Sequence, residues 1–181
     1  MMTQTESEYK QVIALCKDVF EKKTKDYGTA WRILRLTSIT DQLFIKAQRI
    51  RSIQEKGAQK IDEDIKNEFI GIINYSIIAI IQESLSVDAP LEIPVEDLMP
   101  KYEAVAEETL QLLINKNHDY GEAWRDMRIS SITDIILMKL YRVKQIEDNQ
   151  GKTLMSEPVK ANYQDMINYA VFCLIKLDEI N

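Results

Sequence analysis

Apolar residues recur along most of the chain at spacings of three and four, the period of a helix with one face turned inward. From Glu6 to Lys25 the inward set is Tyr9, Val12, Ile13, Cys16, Val19 and Phe20. Asp26-Tyr27-Gly28 closes this stretch, with Gly28 suited to a left-handed C-terminal position. A short helical turn is expected from Ala30 to Leu36. Ser38-Ile39-Thr40-Asp41 has the S-x-x-D form of a capping box and is expected to start a second helix, running to about Glu55. Ile39, Leu43, Ala47, Ile50 and Ile53 would be its inner face, and Lys56-Gly57-Ala58 breaks it. The third helix is expected from Ile61 to Ser84. Its middle, Phe69 to Ile81, is apolar nearly all round, as in a helix buried on several sides. β-Branched isoleucine is compatible with a strand there, but thirteen residues without a turn signal, continuing a helical flank, favour helix.

Leu85 to Pro100 holds three of the four prolines and reads as an extended linker. The helical pattern then resumes from Lys101 to Asn117, with Tyr102, Val105, Ala106, Leu110 and Leu113 inward. A further helix ends near Asn149-Gln150-Gly151. Glu157-Pro158 opens the last one, proline fitting a first-turn position, with Tyr163, Ile167, Val171, Leu174 and Leu177 inside.

The second half repeats the first. Asp26 to Asp41 reads DYGTAWRILRLTSITD and Asp119 to Asp134 reads DYGEAWRDMRISSITD, identical at eleven of sixteen positions and offset by 93 residues. Tyr9 matches Tyr102, and Lys46 and Arg49 match Lys139 and Arg142. After a one-residue slip, Asn74-Tyr75 matches Asn168-Tyr169 at an offset of 94. The expectation is an all-α protein: two tandem three-helix repeats, residues 1–84 and 101–181 with 85–100 between them, forming one pseudo-twofold helical bundle that mimics a homodimer. The very apolar third helix of each repeat is the candidate shared interface.

Composition narrows the function. A net charge of −6 disfavours an extended nucleic-acid surface but leaves room for a local basic pocket. The two cysteines, Cys16 and Cys173, lie in helical patterns and show neither a disulfide framework nor a zinc spacing. The opening MMTQTESEYK lacks the features of a secretion leader, and the 13-residue apolar run is too short for a bilayer, so a cytoplasmic protein without membrane contact is expected.

The duplicated block carries the candidate chemistry. Asp26, Tyr27, Trp31, Arg32 and Arg35 recur as Asp119, Tyr120, Trp124, Arg125 and Arg128. An aromatic ring beside guanidinium groups suits a nucleotide, with stacking on a base and Arg forking onto phosphate; equally, the rings plug the end of the bundle. Lys46/Arg49 and Lys139/Arg142 each project from one helix face, either toward phosphate or snorkelling over the core edge. Asp41 and Asp134 fit the capping box, with metal binding as the alternative. Asn74 and Asn168 sit in apolar surroundings, so each amide meets another helix or a ligand. Glu157, Asp165 and Asn168 share one side of the last helix, where oxygen ligands for Mg²⁺ are conceivable. In the first repeat Gly71 replaces Asp165, with Glu68 one turn earlier.

The pattern K-x-x-D-Y-G-x-A-W-R, at Lys116 to Arg125, followed by Lys139 to Arg142 and by Glu157 to Tyr169, resembles the nucleotide modification associated domain family, type one, here in tandem. The first repeat keeps Asp26-Tyr27-Gly28. Single-copy relatives occur in phage nucleotide-metabolism settings. The helical plan is also similar to the all-α nucleoside triphosphate pyrophosphatases of the MazG and dimeric dUTPase type, which hold Mg²⁺ with E-x-x-E and E-x-x-D motifs. Glu68-x-x-Gly71 and Asn162-x-x-Asp165 each keep half of the second motif. The resemblance implies a nucleotide or nucleoside phosphate as partner. It also implies a Mg²⁺-dependent (d)NTP pyrophosphohydrolase in which Glu157 and Asp165, with Glu68, hold metal and activate water. The phosphate and base contacts would come from the duplicated block, the basic pairs and the two asparagines. The alternative is a non-catalytic helical module binding a nucleotide or a protein. A homodimer of the tandem chain is compatible with either.

Overall fold

The computed structural model describes residues 1–57, 61–155 and 158–180. The described residues form helices and no strands: α1 (Gln4–Tyr27), α2 (Leu36–Lys56), α3 (Ile61–Ser84), α4 (Val95–Tyr120), α5 (Ile129–Asp148) and α6 (Val159–Ile180). Short 3-10 turns at Ala30–Ile33 and Ala123–Asp126 precede α2 and α5. α1, α2 and α3 correspond to α4, α5 and α6. The apolar run of Phe69 to Ile81 is helical, within α3.

Local signals account for most ends. Thr3 and Glu6 make a reciprocal capping box at the start of α1: the Glu6 amide donates to Thr3 Oγ1 at 3.1 Å and the Thr3 amide to Glu6 Oε2 at 3.3 Å. Gly28 ends α1 at φ 62°, ψ −148°, a backbone conformation that favours glycine.

Two expectations fail on local geometry. Ser38 and Asp41 do not cap α2. The 3-10 turn feeds the chain straight into the helix, the Ser38 amide already bonds Arg35 O at 2.9 Å, and Arg35 occupies the cap without a side-chain bond. Asp41 and Asp134 instead face the neighbouring repeat, Lys144 reaching Asp41 at 3.4 Å and Arg51 reaching Asp134 at 3.6 Å. The expected extended segment also ends early, because α4 starts at Val95 and runs through Pro100. Proline's fixed φ is helical and its ring removes one bond. The fully buried Leu98 and Tyr102 hold the segment against the core.

α3 and α6 pack against each other at the centre. α2 covers α3, α5 covers α6, and α2 packs on α5. α1 and α4 lie side by side, each touching both α3 and α6. One buried core therefore crosses both repeats, from Tyr9 to Leu177.

Polar groups inside that core link the repeats crosswise. The Tyr9 hydroxyl donates to Asn168 Oδ1 at 2.9 Å, and the equivalent Tyr102 hydroxyl donates to Asn74 Oδ1 at 2.8 Å. Asn74 Nδ2 then donates to Cys16 O at 3.0 Å, and Asn168 Nδ2 to Thr109 O at 3.5 Å. Each asparagine thus ties α1 to α4 across its own third helix. Burial pushes both tyrosine hydroxyls well above their ordinary pKa, and raises the Cys16 thiol to about 12. Both cysteines are buried and unbridged.

A second crossed set joins α2 to α5. Gln54 Nε2 donates to Thr133 Oγ1 at 3.1 Å, and at the symmetric place Thr40 Oγ1 donates to Glu147 Oε2 at 3.1 Å. Burial raises the Glu147 carboxyl pKa. The Thr40 bond opposes this, Asp41 and Asp148 add to it, and Lys144 opposes it.

Removing either tyrosine hydroxyl leaves a buried amide oxygen unpaired, so Tyr9→Phe and Tyr102→Phe should each lower unfolding free energy by about 1–3 kcal/mol in urea titrations. A loss below about 0.5 kcal/mol would show that these hydroxyls do not hold the amides. Because the folded state binds the Glu147 proton more tightly than the unfolded chain, this group's contribution falls as pH rises from the ordinary glutamate range through the raised folded value. Glu147→Gln, which copies Gln54, should raise Tm at neutral pH, and the gain should vanish below about pH 4. A gain that persists there would exclude the titration as its cause.

Candidate functional site

Each repeat builds the same corner from the end of its first helix, the 3-10 turn, one lysine of its second helix and the outer face of its third. In repeat one the corner is an open pocket of about 670 Å³. Lys23 and Tyr27 reach it from α1, Trp31 from the turn, Lys46 from α2, and Gly71 and Tyr75 from α3. Its volume falls in the range of small-molecule sites. Tyr27 is 72% exposed at its rim. The Trp31 indole N–H is buried without an acceptor among the described residues.

The cationic side of the pocket is incompletely neutralised. Lys46 Nζ lies 3.8 Å from Glu68 Oε2 and 5.5 Å from the centre of the Tyr75 ring. Arg49 takes the better share of Glu68, at 2.6 Å. Lys23 forms no ion pair among the described residues, and no carboxylate lines the pocket. Lys46 runs across Gly71, where a Cβ would lie 2.9 Å from its Cδ.

In repeat two the same corner is filled. Asp165, at the place of Gly71, bonds Lys116 at 2.8 Å and Lys139 at 3.0 Å, the counterparts of Lys23 and Lys46. Phe172, at the place of Ile78, lies parallel on Trp124, with ring centres 4.2 Å apart and an interplanar angle of 4°. Trp124 is accordingly buried, whereas Trp31 is only partly so. Asn162 replaces Glu68; it is fully buried, and neither of its side-chain polar atoms has a partner among the described residues.

Arg32 and Arg125 of the duplicated block are engaged in the fold, while Arg35 and Arg128 are exposed. Arg32 donates to Ala89 O at 2.9 Å, to Pro90 O at 3.2 Å and to the Gln82 side chain. Gln82 returns bonds to Arg32 O and Leu34 O, both at 3.0 Å, so the turn and the inter-repeat segment are clamped together. Arg125 lies over Trp124 at 4.4 Å and bonds Glu122 at 2.7 Å and Glu8 and Glu179 at 3.1 Å each. Its Nη2 also donates to Thr5 Oγ1 at 2.9 Å. Three carboxylates surround it, so Arg125, expected as a phosphate clamp, is engaged in an ion-pair network. Lys176 stands where Gln82 does and bonds Arg125 O at 2.6 Å.

The remaining candidates separate. Asn74 borders the pocket, but both atoms of its amide are bonded within the core, as are those of Asn168. Asp26 and Asp119 are exposed, and His118 sits 3.4 Å from Asp119. Glu157 and the Tyr120 side chain lie outside the described residues. Asp165 and Glu68 are held by cations, and among the described residues no group of three His, Cys, Asp or Glu side chains converges as metal ligands. Of the two expected Mg²⁺ ligands, Asp165 is engaged by Lys116 and Lys139, and Glu157 lies outside the described residues.

The family model for nucleotide modification associated domain 1 matches residues 23–82 and again residues 116–177. The chain belongs to that family. No curated protein and no solved structure matches it. The two matched segments of the nucleotide modification associated domain 1 family contain the two corners, from Lys23 to Ile78 and from Lys116 to Phe172. No helix of the described residues is long and apolar enough to cross a membrane.

Lys116 opens the K-x-x-D-Y-G pattern and Lys23 matches it at the 93-residue offset, but nothing in the pattern sets either beside Lys139 or Lys46. The exchange of Ile78 for Phe172 was equally visible, but its meaning depends on the ring reaching Trp124.

Arg125→Ala would leave Glu8, Glu122 and Glu179 without their common cation. It should destabilise the fold by about 2 kcal/mol in denaturant titrations, the scale of charge-assisted bonds. Ligand affinity of the folded protein should be unchanged, and a tenfold loss of affinity would return Arg125 to the binding site.

Proposed function

We propose that the chain is a nucleotide-binding protein and that the repeat-one pocket is its site. The carrying observation is the pairing of accessible aromatic faces, Trp31 and Tyr75, with two lysines, Lys23 and Lys46, in a pocket lined by no carboxylate. A base would pack on the rings, and the phosphates would take the ammonium groups by charge-assisted bonds. The 420 Å³ groove between α1, α3 and α6 is a poorer place for an anion, since Glu8, Asp178 and Glu179 line it.

Family membership supports a role connected with nucleotides. Between binding and pyrophosphohydrolysis, the ion pairs of Asp165 and Glu68 favour binding without turnover, because each carboxylate would first have to leave its lysine or arginine partner.

The test is thermal stability against ribo- and deoxynucleoside mono- and triphosphates, with Mg²⁺ and with EDTA, alongside pyrophosphate detection. A nucleotide-dependent rise in Tm that survives EDTA without pyrophosphate release is expected. At a hundredfold excess over Kd the stabilisation should be about 2.7 kcal/mol. Lys46→Ala should weaken binding about tenfold, as for the loss of one charge-assisted bond. Absence of any shift across the panel would refute the reading, and release of pyrophosphate would replace it with the enzymatic one.

A further inference from the structure

The structure assigns the two corners opposite states: repeat two is occupied by its own side chains, and repeat one is the single site per chain for an external ligand that carries a planar ring and an anionic group. The inference rests on the nucleotide-binding reading of the repeat-one pocket and adds its stoichiometry and the shape of its ligand.

The duplication relates the two corners position by position. In repeat two, the Asp165 carboxylate sits between Lys116 and Lys139, and the Phe172 ring lies flat on Trp124. Both come from α6 and are seven residues apart, two helical turns on one face, or about 10 Å along the axis. An anion between two ammonium groups and a ring parallel to an indole are the two contacts a nucleotide would make with this corner. Repeat one keeps the receiving half, namely Lys23, Lys46 and Trp31. It has Gly71 and Ile78 where the occupying half would be. Glycine at 71 removes the carboxylate and its Cβ together. That change lets Lys46 cross the helix backbone and leaves the pocket open. The tryptophans record the difference: Trp124 is 5% exposed, and Trp31 falls in the partly buried class.

Two reciprocal variants test the assignment, with binding measured by isothermal titration calorimetry against the four deoxynucleoside triphosphates and the four monophosphates. Wild-type protein should bind one equivalent per chain. Gly71→Asp should place a carboxylate between Lys23 and Lys46. The folded variant, checked by circular dichroism, should then show a higher ligand-free Tm and at least a tenfold loss of affinity. The double variant Asp165→Gly, Phe172→Ile should gain a second equivalent while keeping the first. Two equivalents in the wild type would overturn the inference and leave the nucleotide reading standing. So would unchanged affinity in folded Gly71→Asp, or a folded double variant that binds only one equivalent. No heat with any nucleotide in the wild type would overturn the nucleotide reading itself.

Discussion

Two buried hydrogen bonds decide how this chain can fold. Tyr9 reaches Asn168, and Tyr102 reaches Asn74, so each repeat closes the other's interior. A primary amide in an apolar helix is expensive unless its donor and acceptor are both used. Here the acceptor is used by a tyrosine of the opposite repeat, and the donor by a carbonyl of the first helix in the same repeat. Neither half on its own could satisfy Asn74 or Asn168. That dependence makes the duplicated chain one cooperative unit rather than two small domains, and it places α3 against α6 with a defined register.

Around this centre the duplication is preserved where it holds the fold and lost where it shapes the corners. The Gln54–Thr133 and Thr40–Glu147 contacts are related by the pseudo-twofold, as are Arg51–Asp134 and Lys144–Asp41. At the corners the same scaffold carries Gly71 against Asp165 and Ile78 against Phe172. A Tyr–Asn pair buried between helices has no solvent to compensate a change, whereas at the edge of the core Phe172 covers Trp124 and the smaller Ile78 leaves Trp31 partly open. The fold therefore constrains the two halves to stay alike inside and permits them to differ at the proposed ligand pocket.

Much of the architecture was legible before any coordinates. Heptad-like spacing located the helices within a few residues, because an amphipathic face is a local, periodic property. The misreadings were also local. Ser38 and Asp41 match a capping pattern, but α2 has already begun at Leu36, and the Ser38 amide is bonded to Arg35 O inside its first turn. Pro100 looked like part of an extended linker, yet burial of Leu98 and Tyr102 carries the helix through it. For the candidate site, the residue types were legible and their engagements were not. Trp31 and Lys46 line the pocket, while Arg32 and Arg125, equally prominent in the repeat, are consumed by the inter-repeat segment and by three glutamates.

By itself the sequence determined the all-α class, the tandem duplication, the family and most of the residue types that meet at the corners. These follow from periodicity, identity at a constant offset and residue chemistry, which are all properties of positions along the chain. Only the tertiary structure decided which charges neutralise each other and which corner stays open. Lys116 meets Asp165 across 49 residues within the second repeat and Arg125 meets Glu8 across 117 between the repeats, so those pairings exist only once helices distant in sequence have packed. Electrostatic neutralisation acts over a few ångströms of space whatever the separation in sequence, and that is why only the fold separated Lys23 and Lys46, which line an open pocket, from Lys116 and Lys139, which Asp165 holds.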